Sequence, residues 1–250
     1  MAFDLMAGWL DAWICGGVRV ILDDRNFAAV AEVRQLRKVF RHAGIDCVLD
    51  VGANAGQYAR MLRRRVGFRG LIVSFEPNPD LIPLLQRAAR DDGNWIVKNV
   101  ALSDRDGVAS FNIMAENQFS SLQSPKDSEF PSLSYANRVE KRVQVECLRL
   151  DGIFDDLVGK SGCSRVFLKM DTQGHDLSVF AGAAGVMERI RALQSEISFK
   201  RIYEGAPLYH EVMDTYCRHG FDLCGLFPNN AGHFPALVEM DCVMLRRTLP

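Results

Sequence analysis

The chain lacks the features that mark several protein classes. It has no uninterrupted apolar stretch of the roughly 20 residues needed to span a bilayer, so no transmembrane segment is expected. It has no Cys-x-x-Cys pair and no Cys/His cluster at zinc spacing, although seven cysteines are scattered along it. An odd, dispersed set reads as reduced and unpaired. Cys47, Cys147 and Cys242 lie in apolar runs, where cysteine behaves as a small core residue. Charge of one sign is also missing: 30 Lys and Arg against 31 Asp and Glu leave a net charge of -1, which gives no basic footprint for a nucleic-acid partner. The one dense basic run, Arg63-Arg64-Arg65, falls on a predicted helix and reads as a solvated face. The N-terminus has neither the basic start nor the cleavage site of a signal peptide, which points to the cytoplasm. No internal repeat and no shift in composition divides the chain.

What remains is a 250-residue sequence, 48% hydrophobic, rich enough in apolar residues for one compact α/β domain with a substantial core. We expect a helical lead-in over 1–44 and a sheet domain over 45–250. In the lead-in, Phe3, Met6, Trp9, Leu10, Trp13 and Ile14 recur at three- and four-residue intervals, as on an amphipathic helix. That face could cover the ligand edge of the sheet, pair with a second copy in a homodimer, or lie on a lipid surface. No Lys or Arg precedes Arg19, which disfavours the lipid.

From residue 46, apolar runs alternate with helical stretches, the pattern of a parallel sheet covered on both faces. The runs fall near 46–51, 71–76, 95–101, 165–170, 192–199, 220–227 and 240–246. Between the third and fourth, Val108–Met114 and Val143–Leu148 alternate apolar and polar residues, predicting an inserted strand pair. The Ser- and Pro-containing segment between them, 115–141, is long enough to be a substrate loop. Ser120 and Ser121 on it become substrate candidates if it folds over the site.

The first run ends Asp50-Val51-Gly52-Ala53-Asn54-Ala55-Gly56. Ligands bind at the carboxyl edge of such sheets. Gly52 and Gly56 allow a sharp turn and close approach, and Asn54 tolerates a left-handed backbone. The spacing differs from the dinucleotide fingerprint, because the last glycine comes one residue early. The second run ends in Glu76-Pro77-Asn78, where a carboxylate would accept both hydroxyls of a ribose. This loop and acid resemble the first two motifs of Rossmann-like, S-adenosylmethionine-dependent methyltransferases. The fourth run also ends in an acid, Asp171, so three presumed parallel strands deliver carboxylates to one edge.

The block Phe167-Leu168-Lys169-Met170-Asp171-Thr172-Gln173-Gly174-His175-Asp176, followed by Val179–Ala183, resembles the signature of the FkbM family of methyltransferases. Phe75–Asn78, Asn99–Asp104, Ser120-Ser121-Leu122, Leu148–Asp151 and Gly220-Phe221 fit the same pattern, so the likeness covers roughly residues 45–246. It implies a doubly wound, mostly parallel, seven-stranded sheet, S-adenosylmethionine as donor, and O-methylation of a hydroxyl on a sugar, glycolipid or secondary metabolite. The donor contacts it implies are Asp50, Gly52, Asn54, Gly56, Glu76 and Pro77, with Asn78, Ala101, Leu102 and Asp171 completing the set. Two positions depart from the pattern: Gln173 stands where Glu is usual, and Asp176 where Glu is common. Loss of a carboxylate at 173 leaves a divalent metal in doubt, and no metal ligand is assigned.

Methyl transfer asks for alignment and for removal of an alcohol proton. His175 is the first candidate base, being largely neutral at cytoplasmic pH with an unperturbed pKa near 6.5. Asp171 could orient it, contact the acceptor or serve as the base. Lys169 shares the strand face of Asp171 and is expected to pair with an acid. Glu196, within the apolar run Ile190–Phe199, could face the acceptor or form a salt bridge. Tyr203 and Tyr209 read as surface aromatics. A lipid-linked or small glycan acceptor is the expected partner. Two other readings stay open, a nicotinamide oxidoreductase using Glu76 for its ribose, and a catalytically silent nucleoside-binding protein acting through its N-terminal helices.

Overall fold

The computed structural model describes residues 14–15, 18–19, 24–126, 135–228 and 236–247. Residues 1–13 of the predicted lead-in lie outside it, and so does its proposed dimer face. Ile14–Cys15 (β1) and Val18–Arg19 (β2) pair antiparallel instead of continuing a helix. Gly16-Gly17 separates them in sequence, a pair that disfavours helix. The helix of the lead-in is Asp24–Ala43 (α1), whose Leu36, Val39 and Phe40 form a buried stripe.

Seven strands form the central sheet: β3 (Cys47–Val51), β4 (Leu71–Phe75), β5 (Trp95–Lys98), β9 (Val166–Met170), β10 (Ile190–Ser198), β11 (Phe221–Pro228) and β12 (Glu239–Arg246). Their order across the sheet is β11-β12-β10-β9-β3-β4-β5. All neighbouring pairs from β10 to β5 are parallel, and β12 runs antiparallel to both β10 and β11. This is the predicted seven-stranded, doubly wound, Rossmann-like sheet. Strands β3, β4 and β9 are buried at every position, which is why they read as unbroken apolar runs.

Alternate residues on these strands feed two cores. Leu49, Val73 and Leu168 pack with Phe154, Phe180 and Tyr216 on one face. Those three come from helices α4 (Leu150–Leu157), α5 (Asp176–Gly182) and α6 (Tyr209–Arg218). Val48, Ile72 and Phe167 pack on the other face with Leu36 and Phe40 of α1, Ala59 of α2 (Gln57–Met61) and Leu85 of α3 (Ile82–Ala89). Cys47, Cys147 and Cys242 are buried strand residues, as expected. Among the described residues no helix is long and apolar enough to cross a membrane.

Two expectations need correction. The run at 95–101 is not one strand: after β5, Ala101–Leu102 (β6) joins a separate sheet with β7 (Gly107–Met114) and β8 (Val139–Leu148), making the insertion three-stranded. The arginine run is not uniformly solvated. Arg64 and Arg65 are exposed, but Arg63 pairs with Asp92 at 2.7 Å and donates to the carbonyls of Phe68 and Gly70, tying the turn after α2 to the start of β4.

Candidate active site

The sheet face that packs against α1 and α2 turns polar one residue before β3, β4 and β9 end and midway along β10. In register across it stand Ser74, Asp50, Lys169 and Gln194, from β4, β3, β9 and β10. Trp95 Nε1 donates to Ser74 Oγ at 3.0 Å, and Ser74 donates to Asp50 Oδ2 at 3.0 Å. Lys169 Nζ lies 3.8 Å from Asp50 Oδ1 and 3.1 Å from Asp171 Oδ2. Burial pulls the Lys169 ammonium down, but Asp171 and Asp50 outweigh it and hold the group above its ordinary range. Lys169 is therefore a fixed cation that anchors Asp171, the paired role expected of it.

The strand ends open into a cleft lined by Gly52, Asn54, Glu76 and Pro77 on one side and by Ala101, Leu102 and Phe111 on another. Asn117, Gln118, Ser120 and Leu122 cover it, so the predicted loop does lie over the site, although residues 127–134 of it fall outside the described chain. Asp171, Thr172, Gln173 and His175 complete the wall. Glu76 is 5% exposed. Its Oε2 accepts the Asn54 N–H at 2.7 Å and its Oε1 accepts the Asn78 N–H at 2.8 Å. Burial pushes its pKa up to about 7, with the two backbone donors acting against that rise. Each oxygen keeps a lone pair for a further donor. A buried acid with two remaining acceptor positions, flanked by proline and small apolar residues, fits the ribose and base of an adenosine. Glu76, Pro77, Ala101 and Leu102 would hold that nucleoside.

Asn54 adopts φ +49, as anticipated, and Ala55 N–H donates to its Oδ1 at 2.7 Å. Gly52 has φ +78 and runs so close to the next loop that a Cβ there would lie 1.9 Å from the Asp171 carbonyl oxygen. Gly56 is not among the residues lining the cleft: at φ +80 it heads α2, where a Cβ would meet Leu85 and Trp95 at 2.9 Å. Asp50 is fully buried in the polar row behind the loop, and Asn78 is buried beneath Glu76. Neither lines the cleft: strand alternation turns Asp50 toward α2, and the Asn78 amide, beyond the strand, accepts from the Asp80 N–H at 3.0 Å and donates to Asn117 at 3.4 Å.

Both ring nitrogens of His175 are engaged. Gln123 Nε2, a donor only, lies 3.1 Å from Nδ1, so the ring proton resides on Nε2 and is donated to Ser103 Oγ at 3.0 Å. Ser103 donates in turn to Asp104 Oδ1. Burial lowers the His175 pKa, favouring the neutral ring. The side chain borders the Ala101–Leu102 end of the cleft.

Gln173, at φ +55, is the less expected centre of the motif. Its Nε2 donates to Asp171 Oδ1 at 2.9 Å and to Glu196 Oε2 at 2.6 Å, and its Oε1 lies 2.8 Å from the Tyr203 hydroxyl. Tyr203 is therefore a buried support and not a surface aromatic; Tyr209 is exposed and stacks on Phe199. Glu196 is reached through Gln173 and does not line the cleft. Ser121 is also set back, donating to the Gln173 carbonyl at 2.7 Å. Asp176 accepts from Thr172 and Ser195, which makes it a fastening for the loop. Among the described residues no group of three His, Cys, Asp or Glu side chains is arranged to hold a metal ion.

Four residues that border a second hollow beyond Asp171 were not singled out from the sequence: Glu32, Tyr58, Gln194 and Asp241. Gln194 and Asp241 carried a signal, since a polar residue inside an otherwise apolar strand demands a partner.

A family profile described as "Methyltransferase FkbM domain" matches residues 50–223. The chain belongs to the FkbM methyltransferase family. The match spans from the first strand-end acid to the sixth strand of the sheet, so it takes in both acid-ended loops and the inserted strands. Among curated relatives, this FkbM methyltransferase is 27% identical over 212 residues to the 2-O-methyltransferase NoeI of Sinorhizobium fredii, covering 80% of this chain and 79% of that one. Among solved structures it is similar to an FkbM methyltransferase from Methylobacillus flagellatus, with TM-score 0.48, 16% identity and 80% of this chain covered, although the chain spans only 43% of that protein. It is also similar to the magnesium protoporphyrin IX methyltransferase of Synechocystis solved with bound S-adenosylmethionine, with TM-score 0.48, 12% identity, and 90% and 82% of the two chains covered.

Glu76 supplies a pH test. Its charged form is the one that would accept two ribose hydroxyls, and that form is lost as pH falls through about 7. Affinity for S-adenosylhomocysteine is expected to weaken below pH 7, and binding near pH 7 to release protons, seen in calorimetry as an enthalpy that varies with buffer ionisation. Glu76→Ala should cost about 1.5 to 3 kcal/mol of affinity, the scale for hydrogen bonds to a charged group, and abolish the proton release. Unchanged affinity would remove Glu76 from the site. The raised pKa has the opposite consequence for the ligand-free fold: stability present below about 4.5 is lost as pH rises through about 7, because the ionised acid is poorly solvated there.

Proposed function

We propose that the protein transfers the methyl group of S-adenosylmethionine to a hydroxyl of a sugar, glycolipid or related secondary metabolite. The observation that carries this reading is the convergence of Glu76 and Asp171 on one cleft, the first suited to a ribose and the second at its far end, held by Lys169. The relative's name, a 2-O-methyltransferase, supports oxygen as the methylated atom. The early last glycine of the 52–56 turn speaks against a nicotinamide cofactor.

When bound, S-adenosylmethionine supplies an electrophilic methyl carbon on a sulfonium. The chain's own residues do the rest. Glu76 and the 52–54 turn hold the nucleoside end, and holding reactants in line can supply about 7 to 11 kcal/mol of the barrier. Asp171 takes the acceptor's proton in this reading. It is about a third exposed at the cleft and fixed from two sides, by Lys169 at 3.1 Å and by Gln173 at 2.9 Å. His175 has its nitrogens committed to Gln123 and Ser103, so we assign it to shaping the nucleoside end.

Incubation with methyl-labelled donor and a lysate of the source organism, followed by mass spectrometry, tests the whole reading. A labelled ether on a hydroxylated product is expected. Calorimetry showing binding of NADH and none of S-adenosylhomocysteine would overturn it.

A further inference from the structure

The donor cleft shares a wall with a second hollow of about 440 Å³, a size common for small-molecule sites. The two have Gly52, Asn54, Gln118 and Asp171 in common. Asp171 is the one ionisable side chain of those four. Its floor is the polar row of the sheet, Lys169 and Gln194, and its walls are Glu32 of α1, Tyr58 of α2 and Asp241 of β12. These groups form a connected set. The Tyr58 hydroxyl donates to Gln194 Oε1 at 2.7 Å, and Gln194 Nε2 donates to Glu32 Oε1 at 2.9 Å. The same glutamine is hydrogen-bonded to Asp241. One amide thus spaces two carboxylates, as Gln173 spaces Asp171 and Glu196 on the other side of the loop.

We propose that this hollow is the acceptor subsite and that it takes a neutral, polyhydroxylated ring while rejecting an anionic one; the proposal rests on the methyltransferase reading above. The position follows from the reaction. The acceptor oxygen must bond to the methyl carbon as the carbon–sulfur bond breaks, leaving its electron pair on sulfur, and the hydroxyl proton must pass to a base. Such a line has to cross the wall common to both cavities, where Asp171 stands. The ligand class follows from charge and hydrogen-bond capacity. Glu32, Asp171 and Asp241 face Lys169 and Arg65. Lys169 is already committed to Asp50 and Asp171, and Arg65 is exposed at the rim. Burial raises the pKa of Glu32 and Asp241, so they act as hydrogen-bonding carboxyl groups, and a phosphate or carboxylate would be stripped of water beside the Asp171 carboxylate with the floor cation Lys169 already spent. Hydroxyls pair with these carboxyl groups, and the amides of Gln57 and Gln118 add donors for ring oxygens.

The test uses the full chain saturated with S-adenosylhomocysteine and titrated, by calorimetry and saturation-transfer NMR, with a panel of methyl pyranosides and with their uronic acid and 6-phosphate counterparts. At least one neutral pyranoside should bind, its charged counterparts at least about ten-fold more weakly. Asp241→Asn and Glu32→Gln, two near-isosteric changes, should each weaken the neutral sugar by about ten-fold or more while leaving the S-adenosylhomocysteine affinity within about two-fold. Tighter binding of the anionic sugars, neutral binding untouched by both variants, or no sugar binding by protein that still binds S-adenosylhomocysteine would each overturn the subsite. Failure to bind S-adenosylhomocysteine would instead sink the methyltransferase reading beneath it.

Discussion

Asp171→Asn is expected to slow methyl transfer about 10²- to 10⁴-fold, the usual contribution of a placed base, while S-adenosylhomocysteine binds nearly as before. The amide is the same size and keeps an oxygen for Lys169, which retains Asp50 as a second partner at 3.8 Å. What the variant loses is a proton acceptor at the wall between the two cavities, together with one of the two acceptors of Gln173 Nε2, which keeps Glu196 at 2.6 Å. Single-turnover rates with labelled donor, beside calorimetry on the same preparation, separate the chemical step from binding. His175→Asn serves as the comparison. Because Gln123 and Ser103 already occupy the imidazole, it should lower turnover by less than about ten-fold, with its effect on donor KM. Full turnover in Asp171→Asn, or a larger loss in His175→Asn, would move the proton to another group.

Gly52→Ala is expected to damage both fold and donor site. At φ +78 a side chain costs about 1 to 3 kcal/mol by itself. The new Cβ would also lie 1.9 Å from the Asp171 carbonyl oxygen and 2.9 Å from its carbon, so the two loops that carry the site must part. Backbone on backbone leaves no side chain to swing aside. A loss of about 3 kcal/mol or more should lower Tm by at least about 6 to 12 °C in a chain of this size. Gly67→Ala isolates the conformational part, since Gly67 has φ +83 and nothing within 4 Å of an added Cβ. Thermal melts of the two variants should differ by the cost of the clash, and only Gly52→Ala should lose donor binding. Equal melting points would mean that the loops can shift apart cheaply.

The residues differ in how far they could be read before folding. Asp50, Glu76 and Asp171 each follow an apolar run, and a run of that kind ending in an acid is a local pattern, so their common edge was legible. Which of them meets the cleft was not. Asp50 points to the α1 and α2 face, as Val48 does, and is spent on Ser74 and Lys169. Glu76 and Asp171 lie one residue beyond their strands, free of the pleat, and line the cavity. Gln173 looked like a missing carboxylate. Its two donors and its contact with Tyr203, 30 residues away, show a different use, the spacing of two acids.

The third strand of the inserted sheet, the depth at which Arg63 is tied down and the second hollow share one reason for escaping the sequence. Each depends on partners distant along the chain: Ala101 beside Cys147, Arg63 against Asp92, Glu32 reaching Gln194 across 162 positions. Hydrophobic period and turn chemistry act over a few neighbours, which suffices to specify parallel strands, helices between them and acids at the strand ends. Register between strands and the seating of α1 on the sheet are global, and a side chain's face on a strand flips with each one-residue shift. Packing alone therefore chose which polar groups share a cavity, and with it the candidate acceptor site.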